Sequence, residues 1–517
     1  MAQRYPNTDD AVAAILKAGV SFSANRPAHQ KPTPQKNRPE PKPYHPLNPH
    51  QQVDVNCGSF MQTFAPHALA NGTITEADLD VVLRRQFRLR LRLGHFDPPG
   101  ALNAIGLDQI CSPYALELAR DAGRQSAVLA KNVGGVLPLA AGSFASAVVI
   151  GPLISLTDTI QYYGSTPCNK TFTTPLDAVL EHLSAATSIA GVPNVTTNDT
   201  SGVAAAAAAA AGADLVLLAV GSDRSLETEG HDRASIDFSP AQTTLIAAVA
   251  AAAKGPVVAL VFSGGAMDVS ALLGNPKVAA VVICGQPSVA VQGTLDAVFG
   301  RTPDGRAVAM AGKMSQTSYA AGFVNEVDMY DFGMRPGPSA WPPGTNPGRT
   351  YRFYTGTPVL PFGFGLSYTT WAYTPLPDPT PPATVSLAVV EAAACAQEAT
   401  GVVGHTPASL KANAAQFWVN VTNTGSVDSD DVVLGFLVPP GAGANGVPLQ
   451  ELFGFERVFV PAGQTVTVYL GAQGVRFTQA GKDGVRRVLR GEYKVRLGVR
   501  EAALHGMGFA ELALRAE

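Results

Sequence analysis

A chain of 517 residues, 46% hydrophobic and 15% charged, holds enough apolar material for two or three buried cores, which excludes disorder over most of its length. Lys and Arg number 37 against 40 Asp and Glu, a formal net charge of −3, so neither nucleic acid nor an anionic membrane is the expected partner. No run of about 18 or more apolar residues reads as a membrane span, and the opening MAQRYPNTDD lacks the apolar centre of a signal peptide. In chain order, residues 9–19 (DDAVAAILKAG) carry helical periodicity and stop at Gly19. Residues 21–52 (SFSANRPAHQKPTPQKNRPEPKPYHPLNPHQQ) are rich in Pro, Lys, Asn and Gln without an apolar pattern, which predicts an extended or disordered insert. Order resumes with VDVNCGSF and helical segments between residues 65 and 93, the second opening near Thr75 and Glu76. The basic run 84–92 (RRQFRLRLR) interleaves Leu and Phe, as an amphipathic helix with solvated arginines does.

Residues 113–300 alternate between helix and strand. The helix ALELARDAGRQSAVLA precedes SAVVIGP, an alanine-rich helix feeds ADLVLLAVGS, and the helix over 241–253 feeds GPVVALVFSGG and then VAAVVICGQP. Continuous β-branched runs separated by helices predict a parallel sheet covered on both faces. Ligands of such sheets lie beyond the C-terminal strand ends, so the segments of interest are Gly151, 221–233, 263–268 and 284–288. After the Pro-rich stretch 374–384 (TPLPDPTPPAT) the helix signal fades. FWVNVTNTGSVDSDDVVLGFLV, LFGFERVFVPAGQTVTVYLG and GEYKVRLGV alternate apolar and polar residues between Gly, Pro, Asn and Asp turns, predicting a β-sandwich.

Five cysteines (Cys57, Cys111, Cys168, Cys284, Cys395) are dispersed, with neither C-x-x-C nor metal-type spacing. No metal site and no cofactor is expected, and one or two disulfides of open pairing fit. Five N-x-[ST] triplets begin at Asn71, Asn169, Asn194, Asn198 and Asn420 and hint at the secretory route.

The segment 221–233 (GSDRSLETEGHDR) follows a predicted buried strand and concentrates four acidic residues, two arginines and a histidine. In an extended loop Glu227 and Glu229 point the same way, and crowded carboxylates raise one another's pKa, which suits a general acid. The plain alternative is a solvated loop with Asp232 and Arg233 as a surface pair. His231 has an equally plain reading, a solvated side chain.

This segment resembles the acid/base loop of glycoside hydrolase family 3 β-xylosidases, in which a Glu lies shortly before an Asp-Arg pair. VDVNCGSF, LRLGHFDPP, AVLAKNVGGVLPL, VVIGPL, YYGSTPCNKTFTTPL, VFSGGAMDVS, NPGRTYRFYTGTPVLPFGFGLSYT and ELFGFERVFVPAGQ resemble other family landmarks in the family's order, from Val53 to about Val499. The resemblance implies a multidomain α/β chain. Residues 1–100 would be a remnant of a (β/α)₈ barrel, interrupted by 21–52. Residues 113–335 would form a doubly wound α/β sandwich with a largely parallel sheet, 336–384 a connection, and 385–517 a fibronectin type III-like β-sandwich. It implies Glu229 as general acid/base, Glu227 as the alternative, and Glu227, His231 and Arg233 as substrate-facing residues, with Asp232 and Arg233 bracing the loop. Lys131, Asn132 and Tyr351 match recurrent positions and read as structural.

The implied activity is removal of β-linked xylose, with arabinose or glucose as alternatives, from the non-reducing ends of oligosaccharides by a secreted enzyme. Its retaining mechanism needs two carboxylates roughly 5–5.5 Å apart. The family nucleophile is an Asp in a Ser-Asp motif, and none precedes Val53, so this chain alone is expected to lack the attacking group and to be inactive. Asp9 and Asp10 read as helix caps. Removing 21–53 would join KAGV to DVNCG as KAGVDVNCG, so the insert reads as translated intron. GQPSVAVQG and AVAMAGKMSQTSY depart from the family's aromatic GYPG-like and KLPMTWY-like segments. The rival expectation is a non-catalytic carbohydrate-binding or scaffold protein.

Overall fold

The computed structural model describes residues 58–140, 142–157, 172–340, 343–376, 413–480 and 486–516, with Asp9, Val12, Ala13, Val55, Asn56, Thr384 and Val385. The insert 21–52, Asp10, Cys57, Cys168 and Cys395 lie outside the described residues. The chain divides into two units, 1–110 and 111–517.

In the first unit, helix α1 (Phe60–Ala70) is followed by α2 (Glu76–Arg92). Thr75 caps α2 as its position suggested: its side chain accepts from the Asp78 amide while Asp78 returns a bond to the Thr75 backbone, satisfying two orphan donors of the first turn. Ala68, Ile74 and Val82 pack with Val12 in a small core. Asp9 is not simply a cap, because its carboxylate is buried and takes bonds from His67 (3.0 Å) and Asn71. The basic run lies on α2 as expected, and its interleaved Phe87, Leu89 and Leu91 are 48%, 55% and 60% exposed.

The second unit opens with α3 (Pro113–Ser126), started by Ser112, whose hydroxyl accepts from the Ala115 amide. Here the predicted helix over ALELARDAGRQSAVLA is too long. It stops at Ser126, and Val128–Asn132 is strand β1. A short apolar run is ambiguous between helix and strand, and tertiary pairing with the segment Val278–Gly285 decides it. Then come β2 (Ala147–Ile150), α4 (Pro175–Leu180), β3 (Thr187–Ile189), α5 (Val203–Gly212), β4 (Leu215–Gly221), α6 (Pro240–Ala252), β5 (Val257–Phe262), α7 (Ser270–Gly274), β6 (Val278–Gly285) and α8 (Val291–Phe299). The sheet order is β1-β6-β5-β4-β2-β3. All neighbours are parallel except β1, which runs antiparallel to β6.

Every residue of β4 is buried, and the side chains alternate between two cores. Val216, Leu218 and Val220 join a cluster with Ala206 and Ala210 of α5 and Leu245 and Val249 of α6. Leu215, Leu217 and Ala219 join another with Ala178 and Val179 of α4 and Leu295 and Val298 of α8. Helices α3 and α8 cross where side chains are missing: a Cβ on Gly293 would lie 1.7 Å from the Arg120 carbonyl oxygen. Beside that crossing, the fully buried Asp296 accepts from Arg120, Arg124 and His182.

A hairpin, β7 (Gly337–Ala340) and β8 (Pro343–Asn346), precedes the remaining strands. These are β9 (Trp371–Leu376), β10 (Thr384–Val385), β11 (Asn413–Asn423), β12 (Ser429–Val438), β13 (Glu451–Val460) and β14 (Thr465–Gln473). A small hairpin, β15 (Thr478–Ala480) and β16 (Arg486–Val488), leads to β17 (Gly491–Gly498) and β18 (Phe509–Ala516). They form a five-stranded sheet, β10-β18-β17-β12-β13, and a three-stranded one, β14-β11-β9. Strand β9 falls within the span 336–384 expected to be a connection, and it pairs antiparallel with β11.

Between the parallel sheet and these strands, Lys313 Nζ lies 3.1 Å from the buried Asp431 carboxylate, whose other oxygen accepts the Tyr373 hydroxyl at 2.6 Å. Cys111 is disulfide-bonded. Cys284 is a buried free thiol whose pKa is pushed far up by burial. Among the described residues no helix is long and apolar enough to cross a membrane, and no cluster of three or more His, Cys, Asp and Glu could hold a metal ion.

Candidate active-site loop

The loop 221–233 leaves the C-terminal end of β4, a central strand of the parallel sheet. Gly221 has φ 139°, and a Cβ there would meet the Phe262 carbonyl oxygen of β5 at 1.8 Å, so only glycine lets the chain turn off the strand so close to its neighbour. The buried Gln242 of α6 holds this point. Its Oε1 accepts from the Gly221 amide at 2.9 Å and its Nε2 donates to the Gly221 carbonyl at 3.0 Å. Asp223 then closes a local turn by accepting from the Ser225 amide and hydroxyl.

Glu227 turns inward. Its Oε1 accepts from the Ser222 hydroxyl (2.8 Å) and from the amides of Gly264 (2.9 Å) and Gly265 (3.2 Å), the pair that follows β5. Its Oε2 meets Arg233 Nε at 2.8 Å, with the two side chains 21% and 13% exposed. Arg233 also donates to the Ala266 carbonyl. The glycines permit this fit: a Cβ on Gly265 would come within 2.4 Å of the Arg233 guanidinium.

Glu229 is exposed where Glu227 is partly buried. Residues 228–231 form a tight turn closed by Thr228 and His231, whose amides and carbonyls exchange bonds of 3.1 and 2.9 Å. Gly230, third in the turn, has φ 81°, which a type II turn requires at that position. Glu229 occupies the exposed second position, and His231 and Asp232 are exposed beside it. The extended-loop expectation is therefore replaced by a turn that separates the two glutamates. Arg233 is not a surface partner of Asp232 but the cation of Glu227.

Alongside the Gly264–Gly265 pair, beyond the ends of β5 and β6, lies a cavity of about 280 Å³ lined by Ser263, Gln286, Lys313 and Ser315 among others. Lys131 is turned away from it. Its ammonium donates to the carbonyls of Leu273 and Asn275 at the end of α7, where burial lowers its pKa. Asn132 bridges the amide and carbonyl of Leu137, and Tyr351 stacks on Phe362 with ring centroids 4.5 Å apart. Sequence reasoning did not single out Ser222, Gln242 or the Gly264–Gly265 amides as parts of this site. Two consecutive glycines after a buried strand were the available signal.

Comparison with known proteins bears on this geometry. Residues 127–368 match the glycosyl hydrolase family 3 C-terminal domain. Beta-D-xylosidase 1 of Arabidopsis thaliana is 33% identical over 454 residues, covering 86% of this chain and 57% of that protein. Exo-1,4-beta-xylosidase bxlB of Emericella nidulans is 34% identical over 453 residues, covering 87% and 55%. Among solved structures, a GH3 exo-beta-xylosidase (XlnD) in complex with a xylobiose aziridine activity based probe superimposes with a TM-score of 0.75 at 27% identity, covering 90% of this chain and 57% of the other. The chain thus spans little more than half the length of the relatives it matches.

Proposed function

We propose, for a chain that belongs to glycoside hydrolase family 3 by the C-terminal domain it carries, that the loop 221–233 supplies the general acid/base of a retaining β-xylosidase, with Glu229 as that residue. The observation that carries this reading is the different fate of the two glutamates. Glu227 has four donors on its two oxygens, the Arg233 guanidinium among them, and these bonds commit it to holding the loop. Glu229 stands at the exposed tip of a turn that those bonds hold in place, where it can reach a glycosidic oxygen.

In this mechanism Glu229 protonates the leaving oxygen while a second carboxylate, roughly 5–5.5 Å away, attacks the anomeric carbon, and Glu229 then draws the proton from the incoming water. The attacking Asp belongs to the barrel part of the family's architecture, of which residues 1–100 are read as the last portion. His231, exposed next to Glu229, is assigned to substrate contact. Glu227 and Arg233 are assigned to bracing the loop. β-Linked xylose at a non-reducing end is the proposed substrate, on the strength of the two xylosidase relatives, and an extracellular site of action follows from the same resemblance.

The test is a chimera in which residues 111–517 replace the corresponding part of the Emericella nidulans enzyme. It should hydrolyse aryl β-xylosides and xylobiose. Glu229→Gln should cut xylobiose turnover about 10²–10⁴-fold and turnover of an activated aryl xyloside far less, because a good leaving group needs no proton. Equal losses on both substrates, or full activity of the variant, would overturn the assignment. A chimera that binds xylobiose without turnover would favour a carbohydrate-binding role.

A further inference from the structure

The three-stranded sheet has an outward face with an unusual composition. On β11, Trp418, Asn420 and Thr422 are two apart and share that face, while Val419 and Val421 between them are fully buried. Their partners on β14 are Tyr469, Thr467 and Thr465, so six neighbouring positions carry aromatic rings, hydroxyls and an amide but no charge. The Trp418 and Tyr469 ring centroids are 5.3 Å apart, and Tyr469 is 42% exposed. Thr467 donates its hydroxyl to the Asn420 amide oxygen at 2.7 Å, and the Thr422 and Thr465 hydroxyls are 2.8 Å apart. Asn420-Val421-Thr422 is also one of the five N-x-[ST] triplets, and the only one with an aromatic residue two positions before the Asn.

We propose that Asn420 carries an N-linked glycan whose first sugar packs on the Trp418–Tyr469 pair. In the transfer, the Asn420 amide nitrogen bonds to the anomeric carbon of a lipid-linked oligosaccharide diphosphate. The carbon–oxygen bond to the diphosphate breaks, the lipid diphosphate departs, and the amide gives up one proton. Because i−2 and i share a face of a strand, the sugar leaves Asn420 directly beside the indole of Trp418. One face of a pyranose presents C–H groups, which suit the negative face of an aromatic ring. The uncharged hydroxyls around it accept a neutral sugar without stripping water from an ion. The bond from Thr467 fixes the amide oxygen, so the side chain is already oriented when the sugar packs.

The experiment secretes the full chain from yeast behind a leader peptide and reads the Asn420 peptide by mass spectrometry, with thermal unfolding of the protein and two variants. The Asn420 peptide should carry the glycan, and trimming to a single N-acetylglucosamine should leave Tm unchanged. Thr422→Ala, which abolishes the triplet, should lower Tm by about 2–4 °C. The same variant made in bacteria, which add no glycan, measures the cost of the lost Thr422–Thr465 contact alone and should show a smaller drop. Trp418→Leu should erase the difference between the two hosts. An unmodified Asn420 in the secreted chain overturns the proposal. A glycan whose effect on Tm survives Trp418→Leu overturns the packing on the ring pair.

Discussion

The parallel sheet and the three-stranded sheet bury their strands differently, and each exposes its chemistry where burial ends. Strand β4 is enclosed on both faces, so nothing along it can meet a ligand, and the candidate site begins where the strand stops, at Ser222. Strands β11 and β14 bury one face only, so their outward side chains are available along the whole strand. A fully enclosed strand concentrates function at its end, and a half-enclosed one spreads it over a surface.

The sharpest way to break the comparison is at the end of β4. Gly221→Val places carbon on the Phe262 carbonyl oxygen and forces a β-branched residue to φ 139°. It should cost about 4 kcal/mol or more, read as loss of the cooperative transition in urea. Next in size is the polar link from the segment after α8 to the antiparallel strands. Lys313→Met leaves the Asp431 carboxylate, 1% exposed, without its cation, and should cost about 3–5 kcal/mol in the same assay.

A smaller effect is set by pH. Burial pushes the Asp296 carboxyl up, but bonds from Arg120, His182 and Arg124 outweigh it and hold the pKa down at about 2. A carboxyl lowered on folding stabilises the protein above its unfolded pKa near 3.8 and loses that contribution as pH falls toward 2. About 2–3 kcal/mol should disappear across this interval, and Asp296→Asn should flatten that part of the stability–pH curve.

Within the parallel sheet the strands differed in how much the sequence revealed. Runs such as LVLLAVG and VVALVF announce enclosed parallel strands because every position is apolar or glycine, and the helices between them are long enough to show their period. Strand β1 stayed hidden because VLAKN continues the pattern of the helix before it, and only antiparallel pairing with β6 makes it a strand. Strand β3 stayed hidden because three residues at a sheet edge carry no period. At the site, the density of charge in 221–233 marked the loop that the structure places at the end of β4. The inward placement of Glu227 and the exposed one of Glu229 were not legible, since Glu227 is held by backbone amides of Gly264 and Gly265 brought from another strand.

One hydrophobic cluster runs without interruption from Leu218 on β4, through Met314, Leu360 and Phe364, into the antiparallel strands at Val421, Phe453 and Leu497. No boundary in this core coincides with the boundary between sheets. The two layers should therefore melt as a single cooperative unit, giving one calorimetric transition for residues 111–517 rather than two. A protease cut in the segment between them would release not two domains but two halves of one core, each with an apolar side newly opened to water. For anyone trimming this chain toward a minimal fragment, the strands that look like an accessory are what closes the interior beneath the loop.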